Sequence, residues 1–423
     1  MKKVCKLLGI SLILVVIVSG SLFAAGAEES QAKEEVATIK IWQHLDNPDD
    51  PYFYNLIDRF NEQHPNIKAE FELIPWGGAF DLYTTSLVVG DAADVIFYAT
   101  PTWGSAFWDM GVLEPLDDYI ADWDKADLVE DSAWSSSRVS ANDPVFGIPV
   151  VSLPGVVYYR KDWFKQLNIE VPETKEEFLA AAKKITENIP NAYGFGMRGA
   201  RGGTGQMLSF ILPAVGNKWF DENGNSTFRK PEAIAAAEWY INLHKTARVT
   251  PPSAPSDGFA EIMDGFRSGL TGMIVHHIMS ANAHVEALGE DKVGIMYIPE
   301  VGGNRWVEAG LHHYIIPKAS KNKEAAFTFA SWMAEPEQAA YYGHYIGSIP
   351  VVKGAAEADS YFKESEFAMT SVESTAWAYN PPYIDTLGTF WEQVWPARTQ
   401  QALLGEITPA QMMNYFADAL EGK

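Results

Sequence analysis

Hydrophobic positions recur along this chain with two periods, and the two take turns. Thr38-Ile39-Lys40-Ile41-Trp42 alternates every second residue, the period of a strand with one buried face. From Tyr52 to Gln63, Tyr54, Ile57 and Phe60 recur three apart, which predicts a helix. That helix stops at His64-Pro65, because proline pushes the residue before it out of the helical region. Ile67 to Ile74 alternates as a strand again, with Pro75-Trp76-Gly77-Gly78 as its loop. Asp81 to Val89 reads as a helix closed by Gly90, a residue that enters the left-handed conformation at little cost. Asp94 to Tyr98 follows as a buried strand. Such alternation predicts an open α/β sheet, on which ligands sit beyond the carboxyl ends of the strands. Those ends are the His44 region, the Trp76 loop and Thr100-Pro101-Thr102-Trp103.

The second half carries the same signals with longer helices. Gly147 to Ser152 is an apolar strand, Leu153-Pro154-Gly155 interrupts it, and Val156 to Tyr159 is a second strand. This pair reads as a crossing between two lobes. Lys175 to Glu187 has Phe178, Ala182 and Ile185 on one face, and Pro231 to Lys245 begins with proline in its first turn. Val293 to Pro299 and Leu311 to Pro317 read as strands, and Lys323 to Tyr342 as one long helix. Trp391 to Leu404 and Thr408 to Leu420 are helical, the latter with Thr408 as N-cap and Pro409 behind it.

Ahead of the first strand lies a different pattern. Lys2, Lys3 and Lys6 precede an apolar run from Leu7 to Val18, and Ala25-Gly26-Ala27 supplies small residues after it. This is the layout of an export signal cleaved near Ala27, and the run is too short to span a bilayer. The sole cysteine, Cys5, precedes the apolar run, so it is not placed for lipid attachment at the cleavage point. The expected product is a soluble, periplasmic monomer without disulfides. Roughly 400 residues remain, enough for two lobes. Loss of three lysines makes the formal net charge of −23 more negative still, which disfavours nucleic acid and anionic lipid as partners. The 14 Trp, 18 Tyr and 22 Phe fill cores for the most part, but flat rings with polar edges also suit the apolar faces of sugars.

The sequence carries no zinc-protease motif and no Walker-type phosphate loop, so no catalytic residue, metal or cofactor is expected. Gly265-Phe266-Arg267-Ser268-Gly269 places its serine one position too late for a nucleophile elbow. Gly194-Phe195-Gly196-Met197-Arg198-Gly199 fits a dinucleotide fingerprint but runs into further glycines rather than a helix. It reads better as a glycine loop from which Arg198 or Arg201 reaches a ligand. Asp221, Asn223 and Asn225 mimic a calcium loop with its glycine misplaced, so Asp221 to Gly224 is read as a hairpin turn. His276-His277 and His312-His313 each present one ring to a cleft or pack in the core. Neighbours on a strand point to opposite faces, so one pair does not converge on one point. Tyr158-Tyr159 and Tyr341-Tyr342 read as structural.

Several segments together resemble a known family. Lys40-Ile41-Trp42, Leu56 to Lys68 and Gly90 to Ile96 are similar to the amino-terminal pattern of bacterial family 1 extracellular solute-binding proteins, the maltose-binding-like receptors of ABC sugar importers. Gly147-Ile148-Pro149, Tyr158 to Phe164, Phe266 to His277, Ser320 to Ala326 with Glu335 to Gln338, and Gly405 to Pro409 continue the resemblance in order. The resemblance implies a two-lobed α/β periplasmic-binding-protein type II fold with a ligand cleft between lobes. Residues 36–149 and 312–349 would form the amino-terminal lobe, and 150–311 and 350–423 the carboxy-terminal lobe. Crossings are implied near Pro149–Ser152, Ala309–His312 and Ile349–Lys353. The implied activity is reversible capture of a carbohydrate and its delivery to membrane permease subunits. Ligand contacts are implied at His44, Trp76, Thr100, Trp103, Ser152, His277, Gly310, His312, Trp377 and Tyr379. Where the family commonly has Gly-Pro-Trp this chain has His276-His277-Ile278, so imidazoles replace stacking positions. A receptor for another solute, such as a polyamine or ferric ion, and an exported hydrolase are the competing readings.

Overall fold

The computed structural model of the protein describes residues 36–49, 51–140 and 142–423. The export signal expected over residues 1–27 lies outside them. The chain first lays down β1 (Ala37–Gln43), β2 (Ile67–Leu73), β3 (Val95–Ala99) and β4 (Gly147–Ser152). It then builds β5 (Val156–Arg160), β6 (Tyr193–Gly196), β7 (Thr271–His276) and β8 (Val293–Met296) as a separate sheet. After a short β9 (Val307–Glu308) it returns to the first sheet as β10 (Leu311–Ile315) and β11 (Ile349–Pro350), and a short β12 (Ala378–Tyr379) pairs with β9. The first sheet runs β11-β4-β10-β3-β1-β2, and the second β6-β7-β5-β8. In the first, β1 is parallel to β2 and β3, whereas β10 is antiparallel to β3 and β4. In the second, β6 and β7 are parallel, and β5 opposes both β7 and β8.

Sequence patterning explains these elements. Along β1 the buried Ile39 and Ile41 alternate with exposed Thr38 and Lys40. Strands β4 and β5 are buried throughout and have no polar face to alternate with. The helix Pro51–Gln63 buries Phe53, Leu56, Ile57 and Phe60, a stripe at i, i+3, i+4 and i+7. Tyr54, expected on that face, is 46% exposed, because the stripe is in phase with Phe53 instead. The long helix expected from Lys323 to Tyr342 is broken into Lys323–Met333 and Pro336–Tyr341, followed by a wider π-type turn over Tyr342–Gly347. Pro336 has no N–H to give and its ring clashes with the preceding turn, so it opens a new helix. Asp221 to Gly224 is the expected turn: Asp221 accepts from the Asn223 and Asn225 amides, and Phe220 pairs with Ser226.

The chain passes from the first sheet to the second between Ser152 and Val156, and returns to the first from β9 between Glu308 and Leu311. It leaves the first sheet again after Pro350, and the helix Glu366–Ser374 sets Phe367 against Tyr158 of β5. Phe53, Phe60, Tyr314 and Phe329 pack one core around the first sheet. Phe178, Phe195, Phe210, Tyr240 and Trp395 pack another against the second. Among the described residues no helix is long and apolar enough to cross a membrane.

Candidate functional site

Where the chain crosses between the sheets, side chains from both converge on a single cavity. His44 follows the carboxyl end of β1, its Nδ1 3.0 Å from the Ile74 carbonyl and its Nε2 3.2 Å from Asp46 Oδ1. The other carboxylate oxygen of Asp46 accepts from Ser280 Oγ at 2.6 Å. It also stands 3.7 Å from His276 Nδ1 and 4.0 Å from His277 Nδ1. Both imidazoles therefore turn toward one carboxylate, with ring centroids 3.9 Å apart. This overturns the expectation that adjacent histidines face opposite ways. Strand β7 ends at His276, and His277 begins the turn Ile278–Ser280, so the alternation of a strand no longer applies. The Tyr158 hydroxyl donates to the His277 carbonyl at 2.9 Å and fixes that turn.

Aromatic and charged groups complete the lining. Thr100 caps the helix Pro101–Asp109, accepting from the Trp103 amide at 3.3 Å. Trp103 stacks on Trp76 at 4.8 Å and donates from Nε1 to Glu392 Oε1 at 2.9 Å. Arg201, on the glycine loop after β6, lies 3.0 Å from Glu392 Oε2 and 3.0 Å from Asp81 Oδ2. These contacts tie Trp103 and Asp81, beside the first sheet, to Arg201 and Glu392, beside the second. Arg198, on the same loop, lines the cavity, and its Nε donates to the Arg201 carbonyl at 3.1 Å.

Burial sets the charge states. Desolvation alone would raise the Asp46 carboxyl, but the hydrogen bond from His44 and the facing His277 and His276 outweigh it and hold Asp46 well below the usual carboxylate range. Burial pushes His277 down to about 4 against the pull of Asp46, and drives His276 and His312 well below the ordinary imidazole value. These three rings are neutral near pH 7, each with a donor and an acceptor nitrogen. Burial, helped by repulsion from Glu392 and opposed by Arg198, lifts Glu308 to about 7. Asp46, His276 and His277 offer ligand atoms within 4.8 Å of one another, and among the described residues this is the group a metal ion could join. Ser280 Oγ, however, is already within hydrogen-bond distance of both Asp46 and His276.

Of the residues implied by the sequence, His44, Trp76, Thr100, Trp103, His277, Gly310 and His312 line this cavity. Three others lie elsewhere. Ser152 is buried at the crossing and donates to the Ala309 carbonyl at 2.7 Å. Trp377 packs against Tyr297 and under the Arg305 guanidinium. Tyr379 is 42% exposed on β12 and meets the crossing only through its carbonyl. Asp46, Gln206, His276, Glu308 and Glu392 also line the cavity and were not singled out as contacts. The glycine-rich stretch with Arg198 and Arg201, like His277, was a legible sign of the second wall.

A cavity lined by side chains from two α/β sheets, flanked by chain crossings and bridged by contacts from both sides, defines a two-lobed binding protein. The family model of bacterial extracellular solute-binding proteins matches residues 46–340, and the chain belongs to that family. A binding protein of Brucella abortus is 28% identical over 75% of this chain and 77% of its own length. The mannitol-binding protein of Pseudomonas aeruginosa is 26% identical over 74% of each. Among solved structures, an ABC transporter solute-binding protein of Thermotoga lettingae bound with α-D-tagatose superposes with a TM-score of 0.83 at 22% identity, covering 91% of this chain and 99% of that one.

Proposed function

We propose that this protein is the exported substrate-binding component of an ABC importer, which captures a carbohydrate between its lobes and delivers it to a membrane permease. The observation that carries this reading is the cavity itself. Carboxylate, imidazole, amide and guanidinium groups from both lobes meet there beside indole rings, the mixture that satisfies hydroxyls and covers the apolar face of a sugar. Membership of the solute-binding family supports the same role, as do relatives named for sugars and sugar alcohols. The lobe around the first sheet, which keeps all of β4, β10 and β11, and the lobe around the second are the two bodies that close on the ligand. His44, Asp46, His277, Arg198 and Gln206 are its polar contacts. The protein acts as a periplasmic monomer and breaks no bond.

A polyamine receptor would need acidic groups in excess around its cations. Here Arg198 and Arg201 line the same cavity as Asp46, Glu308 and Glu392, and Glu308 titrates near neutrality. That balance suits a neutral ligand. A thermal-shift screen of sugars, sugar alcohols, spermidine and ferric ion tests the reading. A ligand at 100 times its dissociation constant adds about 2.7 kcal/mol of stability, so a carbohydrate should raise the melting temperature and spermidine should not. A shift with spermidine or ferric ion alone contradicts it.

A further inference from the structure

From the size of this cavity and the bridge between the lobes at Trp103, we infer that the receptor takes its carbohydrate as a single unit, one monosaccharide ring or a linear polyol of similar size, in preference to oligosaccharides. The inference rests on the carbohydrate reading above. The cavity holds about 140 Å³. A buried cavity of about 150 Å³ accommodates one benzene ring, and pockets for larger ligands run to about 300–1,000 Å³. The enclosed space therefore matches one six-membered ring.

Around Trp103 the walls limit how far that space extends. Trp103, a buried indole of the lining, already has its surroundings filled. Trp76 stacks on it at 4.8 Å and 11°, Phe80 packs at 5.2 Å, and Tyr83 meets it edge-on at 6.1 Å. Stacking surface that a second sugar ring would use is thus spent on protein rings. Beyond Trp103 the two lobes are bolted together through Glu392. Trp103 Nε1 donates to one carboxylate oxygen at 2.9 Å, and Arg201 approaches the other at 3.0 Å while also reaching Asp81 at 3.0 Å. A longer ligand leaving the cavity on this side would have to displace that bridge and uncover Glu392, which is buried. A single unit leaves the bridge intact, and its hydroxyls meet Asp46 and the histidines.

Titration calorimetry on the purified protein decides the matter, with hexoses, pentoses and their sugar alcohols set against maltose, cellobiose and maltotriose. The expected result is binding of at least one single-unit ligand, with every di- or trisaccharide weaker by about 100-fold or more. A disaccharide that binds as tightly as the best single unit would overturn the size limit and leave the carbohydrate reading standing. Binding of spermidine or an amino acid with no response to any carbohydrate would overturn both. Arg201→Ala provides a second arm. Loosening the bridge should narrow the preference for single units by about tenfold, and an unchanged preference in a folded variant would contradict the bridge as the barrier.

Discussion

Asp46 shows how a buried charge is retained at this site: His44 and Ser280 hydrogen-bond to its two oxygens, and two neutral imidazoles face it. Because His277 is held down to about 4, it stays neutral at mildly acidic pH, and the site should not titrate through this ring where a free imidazole would. His277→Ala should weaken carbohydrate binding at least about fivefold, the cost of a lost buried hydrogen-bond partner of about 1–3 kcal/mol. Calorimetry at pH values of about 5.5 and 7.5 should give the same loss at both; a loss confined to one pH would mean that the ring ionises in the fold. Glu308 behaves differently. Its folded value is raised from 4.5 to about 7, so the fold favours its acid form, and stability is lost as pH rises through that window. Glu308→Gln removes this loss, so its melting temperature relative to wild type should climb between about pH 5 and 7 and level off above. A constant difference would mean an ordinary exposed carboxylate. His44, Trp76 and Thr100 were legible in the sequence because they follow strand ends. Asp46, Glu308 and Glu392 were not, since nothing local distinguishes them among 55 acidic residues until the fold brings their partners close.

Individual elements place these residues, and the crossing at Gly310 is the most constrained. Its φ is +57°, and a Cβ there would stand 2.3 Å from the Leu153 carbonyl oxygen. Gly310→Ala should therefore cost about 2 kcal/mol or more in chemical denaturation, and an unchanged midpoint would contradict a rigid crossing. The helix Lys175–Asn188 is held by a capping box between Thr174 and Glu177, so Thr174→Ala should cost about 1 kcal/mol without altering ligand affinity. Most elements could be read from periodicity because one face of each meets a core: β1 alternates, and the Pro51–Gln63 helix keeps its stripe. The failures have local causes. Pro336 splits a helix whose apolar pattern continues across the break, and the end of β7 at His276 releases His277 from the strand's alternation. Apolar spacing reports burial on a face; it does not report where backbone hydrogen bonding stops.

At the scale of the molecule, cavity residues come from both lobes, so a ligand held there touches both at once. The bridge of Trp103, Glu392, Arg201 and Asp81 can form only when the lobes meet. The bound carbohydrate should be recovered intact after prolonged incubation, as judged by mass spectrometry; release of hydrolysis products would place the protein among enzymes. The central claim, a carbohydrate held between the lobes at Asp46 and the histidines, is tested most directly by a crystal structure. The protein would be crystallised with the sugar or sugar alcohol that most raises its melting temperature. The account predicts ligand density in this cavity, with hydroxyls hydrogen-bonded to Asp46 and His277 and the Trp103–Glu392 contact intact. Ligand seated elsewhere, or an empty cavity in a crystal grown with saturating ligand, would contradict it.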